Sequence, residues 1–288
     1  MKAPCFVLAT VATMCMVLSA SAQNIPAAPA KISILSNIAL ASSAAADCGT
    51  CGGIKGTSCC CGRTAYVVGF ESVWLRYHRS DGVGVNDADE FDFDFSPRIT
   101  FGYVAPDGLG LRLRYWDIST ENDQNQSIQS SVDTYTIDGE LFQDFQIGCY
   151  TNVELSVGIR YNDWEDLVWV AQQETITRDT FSGVGGIIGI EATRSVAIGG
   201  SLYARLRESI LMDSWGDDGV DRRDVTRNIT EIGFGYKHSA CLPNGSIMTA
   251  RAGVEWQNWD HYVEAHGADD TTEAAGFGGF VFGGQVTY

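Results

Sequence analysis

Charged side chains recur at every second position in several segments of this 288-residue chain. Asp92, Asp94 and Arg98 share one parity in a first segment, and Arg112 and Arg114 repeat the spacing after a turn. Ionised groups of both signs on one face can pair with one another or hold ions, because unpaired burial costs several kcal/mol per ion. The nine acids and eight bases that we expect to share such a face are Asp92, Asp94, Arg98, Arg112, Arg114, Asp138, Glu140, Asp144, Glu154, Arg160, Glu191, Arg205, Arg207, Glu231, Lys237, Arg251 and Glu255.

A spacing of two is the period of a β-strand. From Phe91 to Tyr103 the odd positions are mostly apolar and the even positions polar, and the alternation resumes at Leu109. The Pro-Asp-Gly turn between the two runs predicts a hairpin. Long apolar rows opposite charged rows are typical of transmembrane barrel strands, which place one face against lipid and the other in a polar lumen. We therefore expect Phe91 to face lipid.

About ten segments carry this alternation, so the sequence predicts an all-β protein with a transmembrane antiparallel β-barrel of about ten strands at residues 66–288. Long connections are expected after the odd strands and short turns after the even ones, which puts both ends of the barrel on the periplasmic side. Glu208 falls on the apolar parity, and we expect a bulge or the barrel rim there. The outward aromatic residues that we expect in belts are Tyr115, Tyr135, Tyr161 and Trp256 toward the loops and Tyr103, Tyr236 and Tyr288 toward the turns.

The chain begins with one lysine, an apolar run and the small residues Ala20-Ser21-Ala22. This pattern predicts a secretory signal peptide at residues 1–22, cleaved near Ala22. Residues 23–65 form a low-complexity, Cys-rich segment that we expect to be poorly ordered in the periplasm. No later apolar run is long enough for a transmembrane helix, which favours a closed barrel as the membrane-spanning structure.

The cysteines of the mature chain are all expected on the periplasmic side. We hypothesise that disulfides link the Cys-rich segment to the barrel floor or to an envelope partner. Unpaired turn cysteines beside a flexible tail are the alternative. A zinc or iron-cluster site is a weaker alternative, because three consecutive cysteines are poor metal geometry. The candidate disulfide cysteines are Cys48, Cys51, Cys59, Cys60, Cys61, Cys149 and Cys241.

The formal net charge of −17 argues against nucleic acid as a partner. Expected partners are outer-membrane lipid and small solutes or ions, with no cofactor and no metal. The acidic stretch 213–224 resembles a Ca²⁺ loop only weakly, because Arg222 and Arg223 would oppose a cation, so a solvated loop is favoured.

Four longer stretches resemble the Legionella-type major outer membrane proteins, a pore-forming barrel family. The resemblance covers about Gly69 to Tyr288 and implies an outer-membrane pore; the Cys-rich segment lies outside it. The stretches are SPRITFGYVAPDGLGLRLRYW, VDTYTIDGELFQDFQIGCYTNVELSVGIRY, FSGVGGIIGIEATRSV and ARAGVEWQNW.

The charges of the lumen are nearly balanced, and about ten strands lies near the size at which side chains fill a barrel. The first functional prediction is therefore a narrow or gated pore for small solutes or ions, with cation preference from the acidic loops. A non-conducting structural or surface-binding barrel is the alternative. An omptin-like or lipid-modifying enzyme is a minor one, because it needs a rim histidine beside a carboxylate, and His78 and the Asp260-His261 pair are weak candidates.

Overall fold

The computed structural model describes residues 64–79, 91–122, 128–170, 175–213, 226–264 and 272–288. The chain separates into the units Met1–Ala44 and Ala45–Tyr288, and all of the described residues belong to the second. The strands in chain order are β1 (Ala65–Arg79), β2 (Phe93–Val104), β3 (Leu109–Asn122), β4 (Ile128–Ile147), β5 (Thr151–Val170), β6 (Thr175–Ala197), β7 (Gly200–Asp213), β8 (Thr226–Cys241), β9 (Ile247–Glu264) and β10 (Thr272–Thr287).

Each strand pairs antiparallel with its neighbours in sequence, and β1 pairs with β10 to close the barrel. Closure leaves no strand edge, so every backbone group within the wall finds a partner inside the sheet. The predicted all-β, ten-stranded antiparallel barrel is confirmed.

The outward face of the wall is apolar and carries aromatic rows near both ends. Tyr135 lies between Tyr115 and Tyr161, with ring centroids 6.3 and 5.8 Å away. At the opposite end Tyr66 contacts Tyr103 at 5.6 Å, and it also contacts Tyr288. Between these rows the exposed side chains are mostly Leu, Ile, Val and Phe. An apolar band flanked by aromatic girdles on a closed barrel is the lipid-facing surface of an outer-membrane protein, which places the chain in the outer membrane.

Each of the four short turns contains a glycine with a positive φ angle. Gly108, Gly148, Gly199 and Gly245 lie in the β2–β3, β4–β5, β6–β7 and β8–β9 turns, with φ between 68° and 87°. A positive φ is favourable for glycine because it has no Cβ. Outer-membrane barrels have their short turns on the periplasmic side, so these four turns mark the periplasmic end of the barrel.

The far ends of β4, β5 and β6 extend well beyond what a membrane crossing needs. These strands have 20, 20 and 23 residues, whereas a crossing needs about 9–11. The connections at 123–127 and 171–174 are consequently only five and four residues long, although long loops were expected there. The pairing continues to Ile128 opposite Val170, so the wall is tallest at β4–β6.

Glu208 marks neither a bulge nor the barrel rim, the two possibilities that the sequence suggested, because it lies inside β7, five residues before that strand ends at Asp213. Its pairing runs unbroken, opposite Ile188 on one side and Thr230 on the other. The Thr230 hydroxyl donates a 2.6 Å hydrogen bond to Glu208, which gives this outward carboxylate a polar partner. In the part of the chain that the structure describes, no helix has the length and apolar character to cross a membrane.

Candidate functional site

The interior of the barrel is the candidate site, because the predicted charged residues point there. It divides into three zones from the turn end to the loop end: a vestibule, a layer of ion pairs and a layer of aromatic rings. Even positions of β2, β3, β4 and β5 face inward, as do odd positions of β1, β6, β7, β8 and, up to Trp259, of β9. The alternation of each strand therefore brings side chains of distant sequence to one level.

One chain of ion pairs joins β1, β2, β7 and β9. Arg98 contacts Glu255 at 2.6 Å and Glu71 at 3.0 Å. Arg205 contacts the other oxygen of Glu255, and Arg251 contacts the other oxygen of Glu71. Both carboxylates are therefore shared between two guanidinium groups, and the contacts tie β2 to the non-adjacent strand β9.

A second chain of ion pairs is centred on Arg207 of β7. Its guanidinium contacts Asp138 at 2.7 Å, Glu140 at 2.6 Å and Glu231 at 3.1 Å. Arg160 of β5 also contacts Asp138 and Glu231, at 2.7 and 2.5 Å. All five side chains are at most 4% exposed. Because β4 and β5 reach β7 and β8 directly, these pairs hold the two walls together in the middle of the lumen.

Three outer ion pairs lie nearer the turn end. Arg112 contacts Glu140 at 2.9 Å and Glu154 at 2.8 Å, and Lys237 contacts Glu191. These side chains are more accessible than the central ones, except Glu140. They form the transition from the central layer to the vestibule.

Unlike the other bases predicted to face the lumen, Arg114 forms no ion pair with the described residues. It is 6% exposed, yet its Nε and Nη1 atoms are buried without a hydrogen-bond partner. Asp138 is its cross-strand neighbour, but the two oxygens of that carboxylate are taken by Arg160 and Arg207. The acid closest in register to Arg114 is therefore already neutralised by other strands.

A cluster of aromatic rings fills the lumen on the loop side of the ion pairs. Trp259 lies at its centre, with ring centroids 4.9 Å from Tyr262, 5.2 Å from Trp164 and 5.6 Å from Phe277. These four side chains are at most 1% exposed. We call this the aromatic plug; its members are Tyr77, Phe91, Trp116, Trp164, Phe181, Trp259, Tyr262 and Phe277.

Polar contacts surround the plug. Tyr262 donates from its hydroxyl to Asn162 at 2.8 Å, and Trp259 donates from its indole nitrogen to Gln257 at 2.9 Å. On its loop side Arg79 donates to Asp166 at 2.8 Å, joining β1 to β5 across the interior. The plug is thus a packed core in which Tyr262 and Trp259 are hydrogen-bonded, whereas the indole nitrogens of Trp116 and Trp164 are buried without a hydrogen-bond partner.

The turn end of the lumen opens into two adjoining cavities of about 320 and 230 Å³. Ala65, Val104 and Thr287 line the larger one, and these residues begin β1 or end β2 and β10. We call this space the vestibule. Its charged lining consists of Glu71, Arg112, Arg114, Asp144, Glu154, Glu191, Arg205, Arg207, Lys237 and Arg251.

Most of the predicted lumen residues lie in the ion-pair layer or the vestibule, but two acids lie elsewhere. Asp94 accepts a hydrogen bond from Thr120. Asp92 is exposed and precedes β2, so it is not part of the ion-pair layer. Phe91, expected against lipid, is buried in the plug with its ring 4.9 Å from Tyr77, because the strand alternation begins only at Phe93.

The sequence-based reasoning missed Glu71 and the plug. Glu71 holds both Arg98 and Arg251, and its odd position in β1 was the available signal. Trp116 shares the inward parity of Arg112 and Arg114, so an aromatic residue in a charged row signalled an apolar zone.

Cys149 and Cys241 are each disulfide-bonded. Cys149 lies in the β4–β5 turn and Cys241 ends β8, both at the turn end as expected. The remaining candidates lie outside the described residues; they are Cys48, Cys51, Cys59, Cys60 and Cys61.

Among the described residues, the histidines considered above as catalytic candidates do not form a His–carboxylate pair facing the lumen. His78 faces outward and its ring stacks on Trp256 at 5.6 Å. The side chain of His261 and the stretch 214–225, considered above as a Ca²⁺ loop, lie outside what the structure describes. Within the described ranges, no three His, Cys, Asp or Glu side chains are grouped as metal ligands.

No family model and no curated protein matches the chain. Neisserial surface protein A (NspA) is a similar solved structure, 15% identical over 77% of this chain and 97% of that chain, with a TM-score of 0.32. The translocator domain of autotransporter NalP from Neisseria meningitidis is 13% identical over 78% and 88%, with a TM-score of 0.42. Outer membrane protease OmpT from Escherichia coli is 8% identical over 78% and 96%, with a TM-score of 0.38. What this chain does is therefore inferred from its own lumen.

Proposed function

We propose that the protein is a non-conducting outer-membrane barrel whose own side chains close its lumen, and that it acts through its two ends. The observation that carries this proposal is the aromatic plug. Trp164, Trp259, Tyr262 and Phe277 meet across the interior and are at most 1% exposed, so water does not reach them. Barrels of about this size are filled by side chains, whereas barrels of 16–18 strands leave channels.

The ion-pair layer adds a second closure below the plug. Arg160 and Arg207 bridge carboxylates of β4 and β8 at 2.5–3.1 Å. An ion that passed would have to separate pairs that are almost completely buried, which leaves charges uncompensated. The two layers together make the lumen a structural core.

The tall wall at β4–β6 offers a surface above the membrane. Beyond the tyrosine row at Tyr135, the outward positions of β4 are polar and those of β5 begin with Asp163 and Glu165, with Asp133 directly opposite Glu165. About half of each of these strands exceeds the length of a crossing. A folded, acidic surface held outside the bilayer supports a structural or surface-binding role.

A gated pore is the second candidate, and the vestibule favours it. This cavity already extends from the turn end of the lumen to the level of Arg114. Only the ion-pair layer and the aromatic plug would therefore have to move to open a path through the barrel. The resemblance to the Legionella-type major outer membrane proteins and the omptin-like or lipid-modifying enzyme both stay predictions.

Planar-bilayer recording of the refolded full-length protein tests the closure. We expect no discrete current steps from the wild type. A Trp164→Ala/Trp259→Ala/Arg207→Ala variant removes ring bulk from the plug and the arginine at the centre of the ion-pair layer, so it should give steps or leak. Trp256→Ala is the matched control, because this tryptophan is 49% exposed on the outer face. Steps from the folded wild type would refute the proposal and favour the pore.

We also propose that disulfides tie the turn end of the barrel to the Cys-rich segment or to an envelope partner. Cys149 and Cys241 are at least three strand spacings apart, roughly 14 Å along the wall. A disulfide needs Cα atoms within about 7 Å, so a bond between these two would need the turns to fold inward. Peptide mapping without reduction should find each cysteine linked to residues 48–61 or to another protein; a Cys149–Cys241 peptide would contradict this.

A further inference from the structure

The vestibule combines an orphaned guanidinium with space for a ligand. Arg114 is only 6% exposed and lines the 320 Å³ cavity. Its Nε and Nη1 atoms have no hydrogen-bond partner. Arg205 lines the same cavity, and its Nε and Nη1 are also buried without partners. Four guanidinium nitrogen atoms of two cavity-lining residues therefore lack a hydrogen-bond partner.

More bases than acids line this cavity. Six bases line it against four acids, although acids and bases are nearly balanced over the lumen as a whole. Glu71 and Glu154 are already engaged by Arg251 and Arg112, and Glu191 by Lys237. Asp144, the fourth acid, accepts a hydrogen bond from Asn152. Three bases of the lining also pair with acids outside it, whereas Arg114 has no ion pair within the described residues; these bases are Arg112, Arg205 and Arg207.

We propose that the inner vestibule is a binding site for a small oxyanion of the phosphate class, held by Arg114 and Arg205. The planar fork of a guanidinium matches the oxygen spacing of phosphate, and charge-assisted bonds of this kind are about twice as strong as neutral ones. A cavity of about 320 Å³ lies at the lower end of the range for small-molecule sites.

The ligand enters from the periplasmic side. The aromatic plug closes the loop side, whereas the vestibule is lined by residues at the turn end. The same phosphate chemistry is found in free phosphate and in a lipid headgroup, so both are covered by the proposal. It goes beyond the proposed non-conducting role and does not depend on it.

Calorimetric titration of the refolded full-length protein in a neutral detergent tests the site. The probes are inorganic phosphate and glycerol 3-phosphate at constant ionic strength, with chloride as the reference anion. We expect saturable phosphate binding by the wild type and an affinity at least about tenfold lower for Arg114→Gln. Arg178→Gln is the control, because this arginine lies on the outer wall with a 62% exposed side chain.

Each outcome decides the proposal. Preference for glycerol 3-phosphate would support it and point to a headgroup as the source, and preference for phosphate would support it with the free ion as the source. Absence of saturable binding to the wild type, or equal binding by the wild type and Arg114→Gln, would overturn it. If Arg114→Gln does not refold, Arg114→Lys keeps the charge without the fork, and unchanged affinity in that variant would also overturn it.

Discussion

Arg207 and Arg114 lie at the same level of the lumen, and we expect the same substitution to have different effects on stability at the two positions. Arg207 is 2% exposed and holds Asp138, Glu140 and Glu231, whereas Arg114 is 6% exposed and forms no ion pair with the described residues. Replacement by Met removes the charge from either position and keeps a flexible apolar side chain of similar reach. The pair therefore isolates the contribution of the ion pairs from the loss of the side chain.

Breaking a buried ion pair costs about 3–5 kcal/mol, because the remaining partner is left uncompensated. After Arg207→Met, Asp138 and Glu231 keep Arg160, and Glu140 keeps Arg112. The cost should therefore lie near the lower limit, about 3 kcal/mol. Arg114→Met removes a buried charge that has no carboxylate partner, so it should leave the free energy of unfolding unchanged or raise it.

Reversible urea unfolding in lipid vesicles, followed by tryptophan fluorescence, measures both variants against the wild type. We expect the midpoint for Arg207→Met to fall clearly below that for Arg114→Met. Equal losses in the two variants would refute the reasoning, because stability would then depend on side-chain volume and not on the ion-pair layer.

Two further predictions concern packing in the wall and the plug. Gly185→Ala should lower the free energy of unfolding by about 1–3 kcal/mol, because a Cβ there would lie 1.8 Å from the Ile210 carbonyl oxygen. Gly186→Ala is the adjacent control, with no atom within 4 Å of its added Cβ, and an equal loss there would contradict the steric account. Trp259→Ala should cost about 3–5 kcal/mol in the same urea titration, because it removes the central ring of the plug, and a loss below about 1 kcal/mol would contradict that packing.

The strands and their faces could be predicted because the backbone imposes the alternation. Arg98, Arg160 and Arg207 share the inward parity with their partners, and a period of two is visible in the sequence. Parity gives the face of a residue but not its height or its partner across the lumen. Arg160, for example, pairs both with Asp138 on the neighbouring strand and with Glu231 three strands away.

The sequence could not show that Arg114 lacks an ion-pair partner or that the aromatic residues form a plug, because parity does not give the height of a residue or its partner across the lumen. Asp138 is opposite Arg114 in the sheet, and only the three-dimensional arrangement shows that Arg160 and Arg207 occupy it. Trp116 did stand in a charged row, but its meeting with Trp259 at 5.9 Å depends on the curvature of the closed barrel.

Single-channel recording of the barrel without residues 23–63 tests most directly whether the lumen closes itself. Heat-dependent migration on a gel should first show that the shortened protein is folded. The aromatic plug and the ion-pair layer belong to the barrel, so we predict no current steps after the deletion. Discrete steps from the folded, shortened protein would contradict closure by the lumen side chains.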